Sequence, residues 1–161
     1  MGEPKRIVVV GSANMDIVLP VARLAAPGET ILGGDVAFFP GGKGANQAAA
    51  AAKLGGVVWL VAEVGPDPFG AALVSSLQQA GVLTEHVGVS SRPTGCACIY
   101  VLPEGENSIV VSPGANAALD PRTATARLEA VGDVGFVLSQ LETPLDTVTA
   151  VFASARARGA T

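Results

Sequence analysis

Three apolar stretches set the terms on which this chain can fold: "RIVVV" from Arg6, "VVWLVAEVG" from Val57 and "VGFVLSQLE" from Val134. A strand with one wet face alternates apolar and polar residues. These stretches barely alternate, so both faces of each strand must be covered, as in a parallel sheet flanked by helices. The segments between them supply the helices. One runs from about Gly44 to Leu54. A second starts at Asp67-Pro68, an N-cap followed by proline at the first helical position, and stops at Gly81. Asp120-Pro121 repeats that device. Thr143-Pro144, with Asp146 three residues after the threonine, reads as an approximate capping box for a last helix ending near Arg158. The fold class is α/β with a mainly parallel sheet and flanking helices. Hydrophobic residues make up 49% of the chain and aromatics only 4%, so the core is expected to pack backbones closely on alanine and glycine.

Two regions break the alternation. "DIVLPV" and "TILGGDVAFF" are short strand-like pieces broken by Pro20, "APGE" and Gly33-Gly34, and "GCACIYVLPEGENSIVVS" reads as a hairpin with a polar tip. They are expected to form a small second sheet, a β lid built from residues of about 17–39 and 95–112, over one edge of the main body. After the last helix only "GAT" remains. The alternation breaks off in mid-fold, with about three main strands visible. The chain therefore reads, over residues 1–161, as the N-terminal part of a larger unit whose unfinished sheet exposes an apolar edge.

Charge and cysteine usage exclude some roles. A net charge of -4 speaks against nucleic acid as the main partner. No run has the length of a membrane span, "MGEPKRIVVVGS" lacks the features of a signal peptide, and Arg6 stands where a myristoylation motif needs Ser or Thr. Cys96 and Cys98 flank one residue on a strand, too awkwardly placed for a disulfide and without a second ligand pair for a metal. Reduced thiols fit a cytoplasmic setting.

The chemistry concentrates in "PGGKGANQ", Pro40–Gln47, where glycines open a helix beside Lys43. Helix N-termini favour anions. Neither nucleotide motif fits, however: a Walker A loop needs glycine at Ala37 and Ser or Thr at Gly44, and no G-x-G-x-x-G follows the first strand. Tight packing is the plain alternative for these glycines. Asn14 and Asp16 lie just past the first strand, Asn46 and Gln47 on the first turn after Lys43, and Glu142 at the end of the third strand. Ligands bind at that edge of open α/β sheets. Such a mixture of donors and acceptors suits a polyhydroxylated ligand.

These residues lie in "GSANMD", "PGET", "GGKGANQA", "GENSIVVSPGANAAL" and "LSQLETP". In their order and spacing the motifs resemble the ribokinases of the PfkB carbohydrate kinase family, over essentially the whole chain. The resemblance implies ATP-dependent phosphorylation of D-ribose at its 5-hydroxyl, with Mg2+ and with stimulation by K+. It implies a sugar held between body and lid by Asn14, Asp16, Gly42, Lys43, Asn46 and Glu142, with Ala97 and Val111 as the apolar side. It also implies a homodimer formed through the lid. Family members run to about twice this length. Their nucleotide site and the G-A-G-D motif with the catalytic base lie in the second half, and no G-A-G-D occurs here. No catalytic residue is therefore assigned; Asp67 is read as a cap, and the chain alone is expected to be inactive. Two alternatives stay open: a non-catalytic sugar-binding or interaction protein, and a kinase for another sugar or a nucleoside, for which Phe38, Phe39 and Tyr100 are the aromatics on offer.

Overall fold

The computed structural model describes residues 6–161; the myristoylation reading of the first residues lies outside them. The chain begins with β1 (Arg6–Val10), β2 (Asn14–Pro20), β3 (Ala37–Gly41) and α1 (Lys43–Lys53). It continues with β4 (Val57–Val64), α2 (Pro68–Gln79), β5 (Val87–Val89), β6 (Gly95–Val101) and β7 (Asn107–Ser112). A 3-10 helix (Gly114–Ala118) leads to α3 (Pro121–Ala130), β8 (Phe136–Ser139) and α4 (Leu145–Ala157).

The first sheet has the order β5-β4-β1-β8, all neighbours parallel. Why β1 lacks alternation is visible in its packing. Val9 enters a core with Ala45 and Ala48 of α1 and Leu73 and Leu77 of α2. Val8 and Val10 enter a second core with Ala124 and Leu128 of α3 and Val151 and Ala155 of α4. Successive side chains of a strand point to opposite faces, so a strand feeding two cores must be apolar throughout. One buried charge interrupts β4: Glu63, paired with Arg127 of α3 at 2.8 Å.

The second sheet has the order β3-β2-β6-β7; β2 and β6 are parallel, the other pairs antiparallel. Only Gly11–Ala13 separates β1 from β2, so the chain passes directly from one sheet into the other. Met15, Ile17 and Cys96 turn one face of this second sheet onto the α1–α2 core. The sheet spans Asn14–Gly41 in its first segment, beyond the expected 17–39. Within that segment "TILGGDVAFF" breaks at Gly33-Gly34, as expected: it contributes to β3 and to a bridge between Val21 and Gly33, and Gly34 donates its N–H to Pro20 O at 2.8 Å and turns the chain.

Helix ends follow the sequence in most places. Asp67 accepts the Gly70 N–H and Asp120 the Thr123 N–H, each at 2.9 Å. The capping box at Thr143 does not form. Pro144 occupies the N-cap, Asp146 accepts the Thr147 N–H at 2.9 Å, and the Thr143 hydroxyl is buried without a hydrogen-bond partner among the described residues. The third strand is also shorter than "VGFVLSQLE": it ends at Ser139, whose hydroxyl donates to Val10 O at 2.8 Å. On the outer edge of β8, Thr161 donates its N–H to Gly135 O at 3.0 Å, and Val137 donates to Thr161 O at 2.8 Å. Leu141, Leu145 and Phe152 nearby are exposed.

Candidate functional site

The site grows from the β1–β2 junction. The N-terminus of α1 sits directly on Gly11–Asn14. A Cβ on Gly44 would lie 2.6 Å from Ser12 N and 2.7 Å from the Gly11 carbonyl carbon. Gly42 has φ +91°, and a Cβ there would lie 2.7 Å from Asn14 N. Both glycines are thus demanded by packing, and Gly42 also by its left-handed backbone.

The free N–H groups of this helix end have protein partners. Lys43 N–H donates to Glu142 Oε2 at 3.0 Å, Gly44 N–H to Ser12 Oγ at 3.2 Å, and Ala45 N–H to Ser12 O at 2.8 Å. The Ser12 hydroxyl in turn donates to Glu142 Oε2 at 2.7 Å, and Lys43 Nζ is paired with Glu142 Oε1. The anion that suits the helix dipole is therefore the protein's own Glu142. Burial alone would push the Glu142 carboxyl up. The hydrogen bonds from the Lys43 side chain, Ser12 and the Lys43 backbone outweigh burial and hold it below the usual range.

Asp16 projects from β2 opposite Ala97 of β6. Burial raises its pKa, repulsion from Glu142 adds to the rise, and Lys43 offsets part of it. A raised carboxyl contributes its stability below the ordinary aspartate value of 3.8 and loses it as pH rises through the folded value. Ionised Asp16 is thus a cost at neutral pH in the sugar-free protein. Asp16→Asn is expected to raise the Tm at pH 7 by about 1–2 °C, with the gain vanishing at pH 3. Thermal melts at both pH values check this; an unchanged or lowered Tm at pH 7 contradicts it.

Asn14, Asp16, Gly42, Lys43, Asn46, Ala97, Val111 and Glu142 all line one cavity of about 180 Å3. Ile99 and Ile109 complete its apolar wall. Sequence reasoning missed both, although period-two spacing from Ala97 and Val111 puts them on the same sheet face. It also missed Ser12 and Asn116, which bond to the cavity's residues from behind. Gln47 does not join the cavity; it accepts from Gln140 Nε2 at 3.3 Å. A larger cavity of about 510 Å3, between the 19–33 segment and Tyr100, holds one ion pair, Arg23–Glu29, whose charges satisfy each other. Its other polar lining, Thr30, Tyr100 and Ser108, stands among the apolar Leu19, Val21, Leu24 and Ile31. Asp67 spends its carboxylate on the Gly70 N–H and on the Thr94 N–H and hydroxyl, away from the cavity. Among the described residues no group of three or more His, Cys, Asp or Glu is placed to hold a metal ion.

A family model described as pfkB family carbohydrate kinase matches residues 4–161. The chain is 45% identical over 148 residues to a ribokinase of Bacillus subtilis, covering 91% of this chain and 50% of that protein. It superposes on the Cryptococcus neoformans ribokinase in complex with ADP with a TM-score of 0.80 and 36% identity, covering 94% of this chain and 45% of that one. Against the Arabidopsis thaliana ribokinase complexed with ribose and ATP the TM-score is 0.76 and the identity 34%, over 94% and 51% of the two chains. The chain spans about half the length of the curated relatives it matches.

Proposed function

Because the chain belongs to the pfkB family of carbohydrate kinases, we propose that it carries the sugar-binding part of a kinase that phosphorylates D-ribose to ribose 5-phosphate with ATP. The observation that carries this reading is the single cavity lined by Asn14, Asp16, Lys43, Asn46 and Glu142 beside the apolar Ala97 and Val111. Asp16 and Glu142 accept from sugar hydroxyls. Asn14, Asn46 and Lys43 donate. Gly42 admits the sugar close to the backbone, and the β6–β7 wall covers its carbon face. The second sheet then acts as a lid, and the half-exposed Phe39, Ile109 and Val111 favour pairing of two lids in a homodimer.

Phosphoryl transfer depends on positioning and electrostatics. In this reading the chain supplies the positioning of the acceptor sugar, and residues outside it supply the base and the nucleotide pocket. Mg2+ and K+ belong to this reading as accompanying ions; among the described residues no group of three or more His, Cys, Asp or Glu is placed to hold a metal ion. A cytoplasmic setting fits the two free thiols. No helix among the described residues is long and apolar enough to cross a membrane.

Sugar is favoured over nucleoside because two of the three candidate aromatics are engaged elsewhere. Phe38 packs on Phe69, with ring centroids 5.8 Å apart, and Tyr100 lines the other cavity. The test is twofold. Competition between D-ribose, D-fructose and adenosine for the cavity should favour ribose at least about tenfold, near 1.4 kcal/mol; tighter adenosine binding overturns the sugar assignment. A coupled ADP-release assay on the 161-residue chain alone should show no ribose-dependent turnover. Turnover there refutes the division of labour.

A further inference from the structure

Asn116 lies in the 3-10 helix that follows β7, 102 residues from Asn14, and is 1% exposed. Its side chain makes three hydrogen bonds, all to the β1–β2 junction. Oδ1 accepts the Ala13 N–H at 2.9 Å, and Nδ2 donates to Ala13 O at 3.3 Å and to Asn14 Oδ1 at 2.7 Å. The orientation of this amide is fixed, because only its oxygen can receive the Ala13 N–H. That fixes the next amide in turn. Asn14 must turn its oxygen towards Asn116, and its Nδ2, which has no protein acceptor among the described residues, is the end left for the cavity that Asn14 lines. The fit is tight: a Cβ on Gly95 would fall 2.3 Å from both Asn116 Nδ2 and Asn14 Oδ1.

We infer that Asn116 is a positioning residue of the sugar site, which makes Asn14 a hydrogen-bond donor to the ligand and ties the end of the β6–β7 hairpin to the strand that carries Asn14 and Asp16. It touches no ligand itself. For its affinity readout the inference rests on the sugar-site reading above; for its spectroscopic readout it does not.

The test is Asn116→Asp, nearly identical in shape. The new carboxylate still accepts from Ala13 but repels Asn14 Oδ1, so the Asn14 amide inverts. Its N–H2 group then donates inward and its oxygen faces the cavity. In 15N-labelled protein the Asn14 side-chain amide signals should move, and their exchange with water should slow. The Kd for D-ribose should rise at least tenfold, with no further rise when the substitution is made in an Asn14→Ala background. Gly95→Ala, which wedges the same bond from the opposite side, should move the same signals and raise the Kd likewise; it decides the matter if Asn116→Asp fails to fold. Unmoved Asn14 signals, a Kd within twofold of wild type, or an equal loss in both backgrounds overturns the inference. If the wild-type chain binds no ribose at all, the sugar-site reading falls, and the Asn14 signals still decide what Asn116 does.

Discussion

Gly44→Ala is expected to cost about 3 kcal/mol of folding stability, the upper end of what overpacking costs. The added Cβ would meet Ser12 N at 2.6 Å and the Gly11 carbonyl carbon at 2.7 Å. Both are backbone atoms held by neighbouring hydrogen bonds: Gly11 N–H donates to Val61 O at 3.0 Å, and Ser12 O accepts from Ala45 at 2.8 Å. No flexible side chain can move aside. Relief requires α1 to lift from β1, which breaks the Gly44–Ser12 bond and draws Lys43 N–H away from Glu142. Gly55→Ala is the control. Gly55, unlike Gly44, has a positive φ, 91°, and among the described residues nothing lies within 4 Å of its Cβ position, so only the left-handed backbone is penalised, at about 1 kcal/mol. Urea unfolding of the two variants measures the difference. A Gly44→Ala cost no larger than that of Gly55→Ala would mean that α1 is not seated as described.

Glu142→Ala is expected to weaken D-ribose binding about 100-fold. The carboxylate organises three groups at once: the Ser12 hydroxyl, the Lys43 backbone N–H and the Lys43 ammonium. Its removal deletes an acceptor for the sugar and releases the lysine that donates beside it. Two charge-assisted hydrogen bonds at about 1.5 kcal/mol each correspond to roughly two decades of affinity. The pH dependence follows from the lowered Glu142 pKa. A carboxyl depressed in the folded state contributes stability above its ordinary value of 4.5 and loses it as pH falls through the folded value. The stability gap between wild type and Glu142→Ala should therefore be widest at pH 7 and close on acidification. A gap that widens towards pH 3 contradicts the assigned role of the carboxylate.

What the sequence revealed and what it hid divide along physical lines. The apolar run Val8–Val10 announced a strand covered on both faces, and the valines indeed enter two separate cores. Asp67-Pro68 and Asp120-Pro121 announced helix starts because capping is local chemistry, settled within three residues. Thr143-Pro144 likewise marked a helix start, with α4 beginning at Leu145, but its capping box did not form, since the threonine hydroxyl turned inward and Asp146 bonded its own neighbour. The eight residues taken as site residues line one cavity because strand ends and helix starts meet at one edge of the sheet. Ser12 and Asn116 stayed hidden for the opposite reason. Their roles come from bonds spanning 130 and 102 residues, and no local pattern encodes such a distance. The helix N-terminus at Lys43 left open whether it holds an anion; Glu142, 99 residues away, is the anion it holds.

An NMR titration of the 15N-labelled chain with D-ribose should give saturable shifts, in the millimolar range or tighter, centred on Asp16, Gly42, Lys43, Ala97 and Val111 and abolished by Asp16→Ala. No shifts at saturating sugar, or shifts that survive Asp16→Ala unchanged, would contradict the claim that this cavity is a ribose site.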